Sequence, residues 1–135
     1  MILAVFDEDL KPVARAIAPG AQIIGPTDLP AYAGQAVYAL GCSAGADLAA
    51  EMLLKQPGVL HGAVLLRPTQ IAAHDPLPDL KGIPVLAVPS RDGSHAVPQM
   101  LAKAGAAVDL AVQDADEFLI PQDFALAKRW LAQFA

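Results

Sequence analysis

Residues 36–50 read AVYALGCSAGADLAA and set the pattern that the rest of the chain repeats. An apolar run of strand length ends in GCSAG, and an alanine-rich, helix-forming segment follows. The glycines of this turn carry no Cβ, so a strand and a helix can approach closely there. The stretch therefore predicts a strand–turn–helix unit that exposes Ser43 as a candidate nucleophile. The alternative is that Ser43 serves only as the N-cap of the helix.

The composition indicates one globular domain over residues 1–135, with 55% apolar residues. Nine Lys and Arg face fourteen Asp and Glu, without a basic run, so neither nucleic acid nor an anionic membrane surface is an expected partner. The opening MILAVFDEDL is too short for membrane insertion and has no leader-peptide features. The lone cysteine, Cys42, excludes an internal disulfide and fits a reducing compartment, so we expect a cytoplasmic protein.

Apolar runs alternate with helical patterns along the whole chain. Nearly continuous apolar runs are typical of parallel strands that are covered on both faces. The predicted strands are residues 2–6, 21–25, 36–41, 62–66, 84–88 and 108–112. The predicted helices are residues 10–18, 43–56, 94–104 and a last helix that starts at Pro121. This alternation predicts an α/β doubly wound sheet.

Two of the predicted helices have distinct faces. In the second, Asp47, Glu51 and Lys55 recur at i, i+4 spacing and form a stripe that we expect to be solvated. The residues expected to face inward in that helix are Leu48, Ala49, Met52 and Leu53. The residues expected along one side of the last helix are Phe124, Ala127, Leu131 and Phe134.

The order of motifs resembles the α/β-hydrolase superfamily, and its small carboxylesterase/phospholipase branch in particular. The motifs are G-x-S-x-G, LLRP, a Pro-rich loop over residues 69–82, and VLAVPSRDG, with DEDLKPVARAIAPGAQIIGP ahead of them. The resemblance covers the chain but begins at the family's third strand. It implies a minimal α/β-hydrolase core: a six-stranded, mainly parallel sheet of flavodoxin-like order 2-1-3-4-5-6, with helices on both faces. Ser43 then lies at the switch point between strands 1 and 3, where such folds bind ligands.

The resemblance assigns Ser43 as the nucleophile and Asp92, in PSRDGS, as the acid that orients a histidine. Asp92 alternatively only forms an Asp-Gly turn. The family's histidine belongs in VQDADEFLIPQD, where this chain has Asp116 or Glu117 instead. A carboxylate with an ordinary pKa of about 4 is a poor base for an alcohol. The expected triad therefore lacks its base.

Other side chains are candidates for the roles of base and nucleophile. His95 follows Asp92 by three residues and is the candidate substitute base, with His74 in the Pro-rich loop as another. His61 precedes a core strand, which places it at the opposite, amino end of the sheet. Cys42 neighbours Ser43, and we expect it to be a small buried apolar side chain rather than a nucleophile.

The resemblance also implies an oxyanion hole made of two backbone N–H groups, here those of Ala44 and Phe6. Asp7 follows Phe6, and a negative charge there would oppose a developing oxyanion. The acidic residues expected at the carboxyl edge of the sheet are Asp7, Asp92, Asp114, Asp116 and Glu117. We expect Arg67 and Arg91 to neutralise them. A divalent-cation site is the alternative, but no ligand spacing is diagnostic, so neither a metal nor a cofactor is expected.

The resemblance implies a serine ester hydrolase of carboxylesterase, phospholipase or thioesterase type that acts on a small ester with an incomplete triad. The alternative is a catalytically inactive α/β-hydrolase homologue that acts as a binding or assembly domain. A homodimer is a further hypothesis, either through the edge strand 21–25 or through the final helix with Trp130 and Phe134. A flavin or nucleotide site is disfavoured, because GCSAGA is a poor phosphate loop and aromatic residues are scarce.

Overall fold

The computed structural model describes residues 1–135 and contains six strands and four α-helices. The strands are β1 (Ile2–Val5), β2 (Gln22–Ile24), β3 (Val37–Cys42), β4 (Gly62–Leu66), β5 (Pro84–Val88) and β6 (Ala107–Leu110). The helices are α1 (Lys11–Ile17), α2 (Ala44–Lys55), α3 (Ala96–Lys103) and α4 (Pro121–Ala132). Two 3-10 helices, Glu8–Leu10 and Pro26–Tyr32, add to them. No helix is both long and apolar enough to cross a membrane.

All six strands join one parallel sheet in the order β2-β1-β3-β4-β5-β6, which confirms the predicted topology. The register aligns the last residues of three strands: Cys42 of β3 pairs with Leu66 of β4, and Leu66 with Val88 of β5. Val5, the last residue of β1, pairs with Leu40, two residues before the end of β3. Because all four strands are parallel, the residues that follow them share one edge of the sheet. That edge carries the elbow of β3 and α2 and, beside it, the loops after β1, β4 and β5.

Helices cover both faces of the sheet, as predicted. One core lies between the sheet and α2 and α3; its helical members include Ala49, Leu53, Val97 and Leu101. The other lies between the sheet and α1 and α4, and includes Ala14, Ala127, Trp130 and Leu131. The central strands β3 and β4 are buried along almost their whole length, so their apolar runs are explained by cover on both faces.

The structure corrects the predicted faces of α2. Leu48, expected to face inward, is 55% exposed. The buried stripe of α2 consists of Gly45, Ala46, Ala49, Ala50, Leu53 and Leu54. At 3.6 residues per turn, position 48 falls on the opposite side of the helix from that stripe. Asp47 is also not merely solvated: its carboxylate accepts the backbone N–H of Thr69 at 2.8 Å and the Thr69 hydroxyl.

Candidate active site

The sharp turn between β3 and α2 holds Ser43 in an unusual backbone conformation. We call residues 41–45 the elbow. Ser43 has φ 53° and ψ −114°, a combination that non-glycine residues rarely adopt. Such strain persists only where the surrounding structure enforces it, and it clusters at functional sites. Ser43 therefore has the backbone of a nucleophile elbow, as the motif predicts.

Two glycines of the elbow are required by close packing. A Cβ on Gly41 would lie 2.6 Å from backbone atoms of Gly45, across the turn itself. A Cβ on Gly45 would lie 2.8 Å from Cγ of Asp7, which comes from the loop after β1. Real Cβ atoms do not approach other atoms so closely. The G-x-S-x-G pattern is thus explained by the turn on one side and by Asp7 on the other.

The side chain of Ser43 has no base within hydrogen-bonding range. Its backbone is fixed, since its N–H donates to the Leu66 carbonyl at 2.9 Å and its carbonyl accepts the Asp47 N–H at 3.0 Å. Its hydroxyl has a single polar contact, with Sγ of Cys42 at 3.8 Å. A general base must lie within about 2.6–3.2 Å of the proton it removes, or reach it through one water. Ser43 is held in position by its backbone, and its hydroxyl contacts no base in this structure.

Two of the three histidines, His61 and His74, lie away from the elbow. The backbone of His61 bonds to Val37, the first residue of β3, so it lies about 16 Å from the elbow at 3.3 Å per residue. His74 lines a small cavity with Glu51 and Lys55, at the far end of α2 from Ser43. His95 precedes α3 and makes no hydrogen bond to Ser43, although it follows a strand that ends at the correct edge. Its role as substitute base stays a prediction.

The oxyanion hole has only one of its two expected donors. Ala44 is the first residue of α2, so its N–H needs no partner within the helix and remains a predicted donor. The N–H of Phe6 instead donates to the Leu40 carbonyl at 2.9 Å. The expectation for Phe6 is corrected, because hydrogen bonding between β1 and β3 continues one residue past Val5. This N–H is therefore already used in the sheet.

Asp7 places an acceptor beside the elbow instead of a donor. Its Oδ2 accepts the backbone N–H of Cys42 at 2.8 Å, and its carboxylate fills the space next to Gly45. A carboxylate near the N-terminus of a helix such as α2 is favoured by the helix dipole. The same negative charge disfavours a second anion at that position. The sequence predicts this charge, and the structure shows the contacts that hold it.

Asp92 lies on the loop after β5 and is exposed. It shares a polar hollow of about 400 Å³ with Asp116 and Glu117, the two residues that stand where the family has its histidine, and with Ser90 and Arg91. The three carboxylates thus lie around one space, and no imidazole lines it. The role of Asp92 as triad acid stays a prediction, since it has no imidazole to orient.

A buried ion pair anchors the loop that carries Asp116 and Glu117. Arg67, only 2% exposed, donates to both carboxylate oxygens of Asp123, at 3.0 and 2.8 Å. It also donates to the carbonyls of Asp116 at 2.7 Å, Val88 at 3.1 Å and Phe118 at 3.3 Å. Arg67 was expected to neutralise the exposed acidic residues, and this is wrong. Its partner is the completely buried Asp123, a residue that no sequence motif singles out.

Arg91, the other arginine at this edge, pairs with a nearby carboxylate. Arg91 lies 2.7 Å from Asp114, in an exposed ion pair that agrees with the expected role of Arg91. No group of three or more His, Cys, Asp or Glu side chains comes together in a way that would hold a metal ion. Among the acidic residues of this edge, Asp7 and Asp114 thus have different partners, the Cys42 N–H and Arg91.

Cys42 is half-buried, so the expectation of a fully buried side chain is only partly met. Burial raises the pKa of the Cys42 thiol, the contact with Ser43 lowers it in part, and the negative charge of Asp7 raises it again. The net direction is upward, which keeps the thiol protonated and weakly nucleophilic at neutral pH. The geometry thus gives no reason to assign nucleophilic chemistry to Cys42.

The chain is similar to known proteins at the level of the fold. Neither a protein-family model nor a curated protein matches the chain. A carboxylesterase from Mesorhizobium loti is similar in structure, with a TM-score of 0.77 and 26% identity over 97% of this chain and 87% of that one. A Bacillus cereus carboxylesterase matches with a TM-score of 0.80 and 20% identity, over 98% and 86%. Arabidopsis thaliana SOBER1 matches with 0.78 and 14%, over 98% and 97%.

The likeness to these three structures extends over nearly the full chain. This chain has the α/β-hydrolase fold and is related to the α/β-hydrolases of carboxylesterase and phospholipase type.

Proposed function

We propose that this chain is an α/β-hydrolase homologue without ordinary serine-esterase turnover, retained as a binding or assembly domain. The observation that carries the proposal is the Asp7 carboxylate, which bonds to the N–H of Cys42 beside the elbow. An esterase needs a hydrogen-bond donor in this region when the substrate carbonyl becomes an oxyanion. This chain presents an anion there.

The loss of a donor and the added charge of Asp7 have an electrostatic effect large enough to matter for catalysis. Removal of one oxyanion donor costs about 10²–10³ in rate in a well-studied protease. Here the second expected donor, Phe6, is used in the sheet, and a carboxylate is added beside the elbow. Replacement of a donor by a like charge destabilises the transition state more than loss of the donor alone.

The missing base supports the same proposal by an independent route. Ser43 contacts only the Cys42 sulfur, and the hollow around Asp92 contains carboxylates where an imidazole is needed. A carboxylate can orient an imidazolium, but it cannot replace the imidazole as an efficient base at neutral pH. Two separate parts of the machinery are altered, so one restored residue would not be sufficient.

A second candidate function, hydrolysis of a small ester by Ser43, is favoured by one specific observation. The strained backbone of Ser43 is retained, and strain of this kind costs of order 1–3 kcal/mol. In that reading Ser43 attacks, the Ala44 N–H holds the oxyanion, and Asp92 orients His95 as a substitute base. Neither a metal nor a cofactor takes part in it.

The two candidates differ in turnover of an activated ester. We expect the wild-type protein to hydrolyse p-nitrophenyl acetate and butyrate at the same background rate as Ser43→Ala. His95→Ala is the matched variant for the substitute base, and we expect it also to leave the rate unchanged. Wild-type turnover well above that of Ser43→Ala would overturn the proposal, and a further loss in His95→Ala would identify His95 as the base.

The proposed setting is a reducing, cytoplasmic one, supported by the single free thiol of Cys42. The proposed partners are a small ester-like ligand or a protein chain. The net charge of −5 argues against nucleic acid.

A further inference from the structure

The sheet ends at β6 with an edge that is unpaired and unusually apolar. β6 pairs only with β5, and no strand lies beyond it. Leu110 is 49% exposed and Val112 is 51% exposed, and these are two of only four large apolar side chains exposed to that degree. Leu110 is the last residue of β6, and Val112 lies two residues beyond it. Large exposed apolar side chains that lie close together, rather than scatter singly, indicate an interaction surface.

The hydrogen bonds of β6 show which backbone groups remain free. Ala107 and Ala111 donate their N–H groups to Ile83 and Ala87 on the β5 side. In a parallel pair, alternate residues direct both N–H and C=O to the same neighbour. Val108 and Leu110 therefore direct their N–H and C=O groups outward. Hydrogen bonding to β5 continues one residue past β6, at Ala111, so Val112 is the next residue that an added strand would meet. Such an edge is a template for another extended strand.

The opposite edge of the sheet, at β2, has fewer backbone groups directed outward for pairing. β2 has three residues, and the N–H of Gln22 is directed to Met1 on the β1 side. Only Ile23 within that strand directs its backbone outward, by the same alternation. The dimer expected through α4 is also poorly supported. Trp130 is 5% exposed and, like Phe134, packs inside the molecule against the ring of Tyr38. β6 is thus the better of the available surfaces.

We propose that the free edge of β6 pairs with β6 of a second copy of this chain, antiparallel, to form a twelve-stranded sheet across a twofold axis. The proposal is independent of whether Ser43 is active. Leu110 lies opposite Leu110 of the second copy, and Val108 lies opposite Val112. Each outward N–H then meets an outward C=O, as antiparallel pairing requires.

The register is self-complementary, and this selects a second copy over a foreign strand. An isologous interface must match each residue with its symmetry mate, and here apolar side chains meet apolar side chains. Asp109 lies opposite Ala111, so the two like charges are not directly paired. The strand carries neither lysine nor proline, the residues that commonly protect an edge from such pairing.

Sedimentation equilibrium tests the proposal against a matched control. We expect the wild-type protein to approach twice its 14.0 kDa mass as concentration rises, and Leu110→Lys to remain at 14.0 kDa. Leu48→Lys places the same charge on an equally exposed leucine of α2, and we expect it to dimerise like the wild type. Circular dichroism of the three proteins checks that each is folded. A monomeric wild type, or a Leu110→Lys variant that still dimerises, overturns the proposal.

A cross-linking experiment tests the register itself. In a Cys42→Ala background, we expect Leu110→Cys to form a covalent dimer on mild oxidation. The two Cα atoms of a hydrogen-bonded antiparallel pair lie about 5.5 Å apart, within the range of a disulfide. Leu48→Cys in the same background is the control and should stay monomeric. Equal cross-linking of both variants overturns the proposed pairing.

Discussion

Gly41 and Gly45 face different neighbours, although both belong to one motif. A Cβ on Gly41 would meet the backbone of Gly45, which cannot move without opening the turn. A Cβ on Gly45 would meet the carboxylate of Asp7, a side chain that can rotate away. We expect Gly41→Ala to lower the free energy of unfolding by about 3 kcal/mol or more, and Gly45→Ala by about 1–2 kcal/mol. Urea denaturation measures both values.

A double substitution separates the two causes of crowding. In an Asp7→Ala background, we expect Gly45→Ala to lose most of its cost, while Gly41→Ala keeps all of its cost. Residues in contact commonly show interaction energies of about 0.5–3 kcal/mol in such cycles. Purely additive effects for Asp7 and Gly45 would show that the carboxylate does not fill the space next to the elbow.

The raised pKa of the Cys42 thiol predicts a specific dependence of stability on pH. The folded protein holds the thiol proton more tightly than the unfolded chain. The contribution of the protonated thiol to the free energy of unfolding is therefore complete below the unfolded thiol pKa of about 8.5. This contribution is lost as the pH rises through the higher folded pKa. We expect the wild-type protein to lose more unfolding free energy between neutral and alkaline pH than Cys42→Ala does. Equal losses in urea denaturation would contradict this assignment.

At the scale of elements, the Arg67–Asp123 pair joins the loop after β4 to the start of α4. Asp123 also accepts the N–H of Ile120 at 2.7 Å, so it holds the first turn of the helix as well as the guanidinium. Loss of one partner would leave a buried charge without compensation. We expect Asp123→Asn to lower the free energy of unfolding by about 3–5 kcal/mol, measured by urea denaturation.

Asp114 provides the control, because it makes the other arginine–aspartate pair of this region. That pair is exposed, with 91% of the Asp114 side chain accessible. Exposed ion pairs contribute about 0–1 kcal/mol. We expect Asp114→Asn to change stability very little. A similar cost for both substitutions would mean that burial does not decide the contribution of these pairs.

The sequence did not reveal this pair, for a physical reason. A charge count shows how many acids and bases a chain has, but it does not show which of them are buried. Asp123 falls three residues after Ile120 at the start of a helix, a position typical of a capping carboxylate, and this was the one available signal. Arg67 has a φ of 52°, in the left-handed region that non-glycine residues rarely adopt, and no local sequence pattern predicts this. Its contacts with Asp123 span 56 residues and exist only in the folded chain.

For the whole molecule, the sheet topology was predictable because each strand is a nearly continuous apolar run. The errors in the strands are at the edges, where β2 and β6 are partly exposed and the apolar pattern is weak. The position of Ser43 was predictable because the elbow is a local feature. The hydrogen bond of the Phe6 N–H was not predictable, since it depends on how far β1 and β3 remain paired.

The central claim is that the elbow is retained without the chemistry that makes its serine reactive. A fluorophosphonate probe reports that reactivity directly, because it phosphonylates an activated serine and leaves an ordinary one unmodified. Intact-mass measurement after incubation should show wild type and Ser43→Ala both unlabelled, with a carboxylesterase as the positive control. Stoichiometric labelling of the wild type that disappears in Ser43→Ala would contradict the account and establish Ser43 as an active nucleophile.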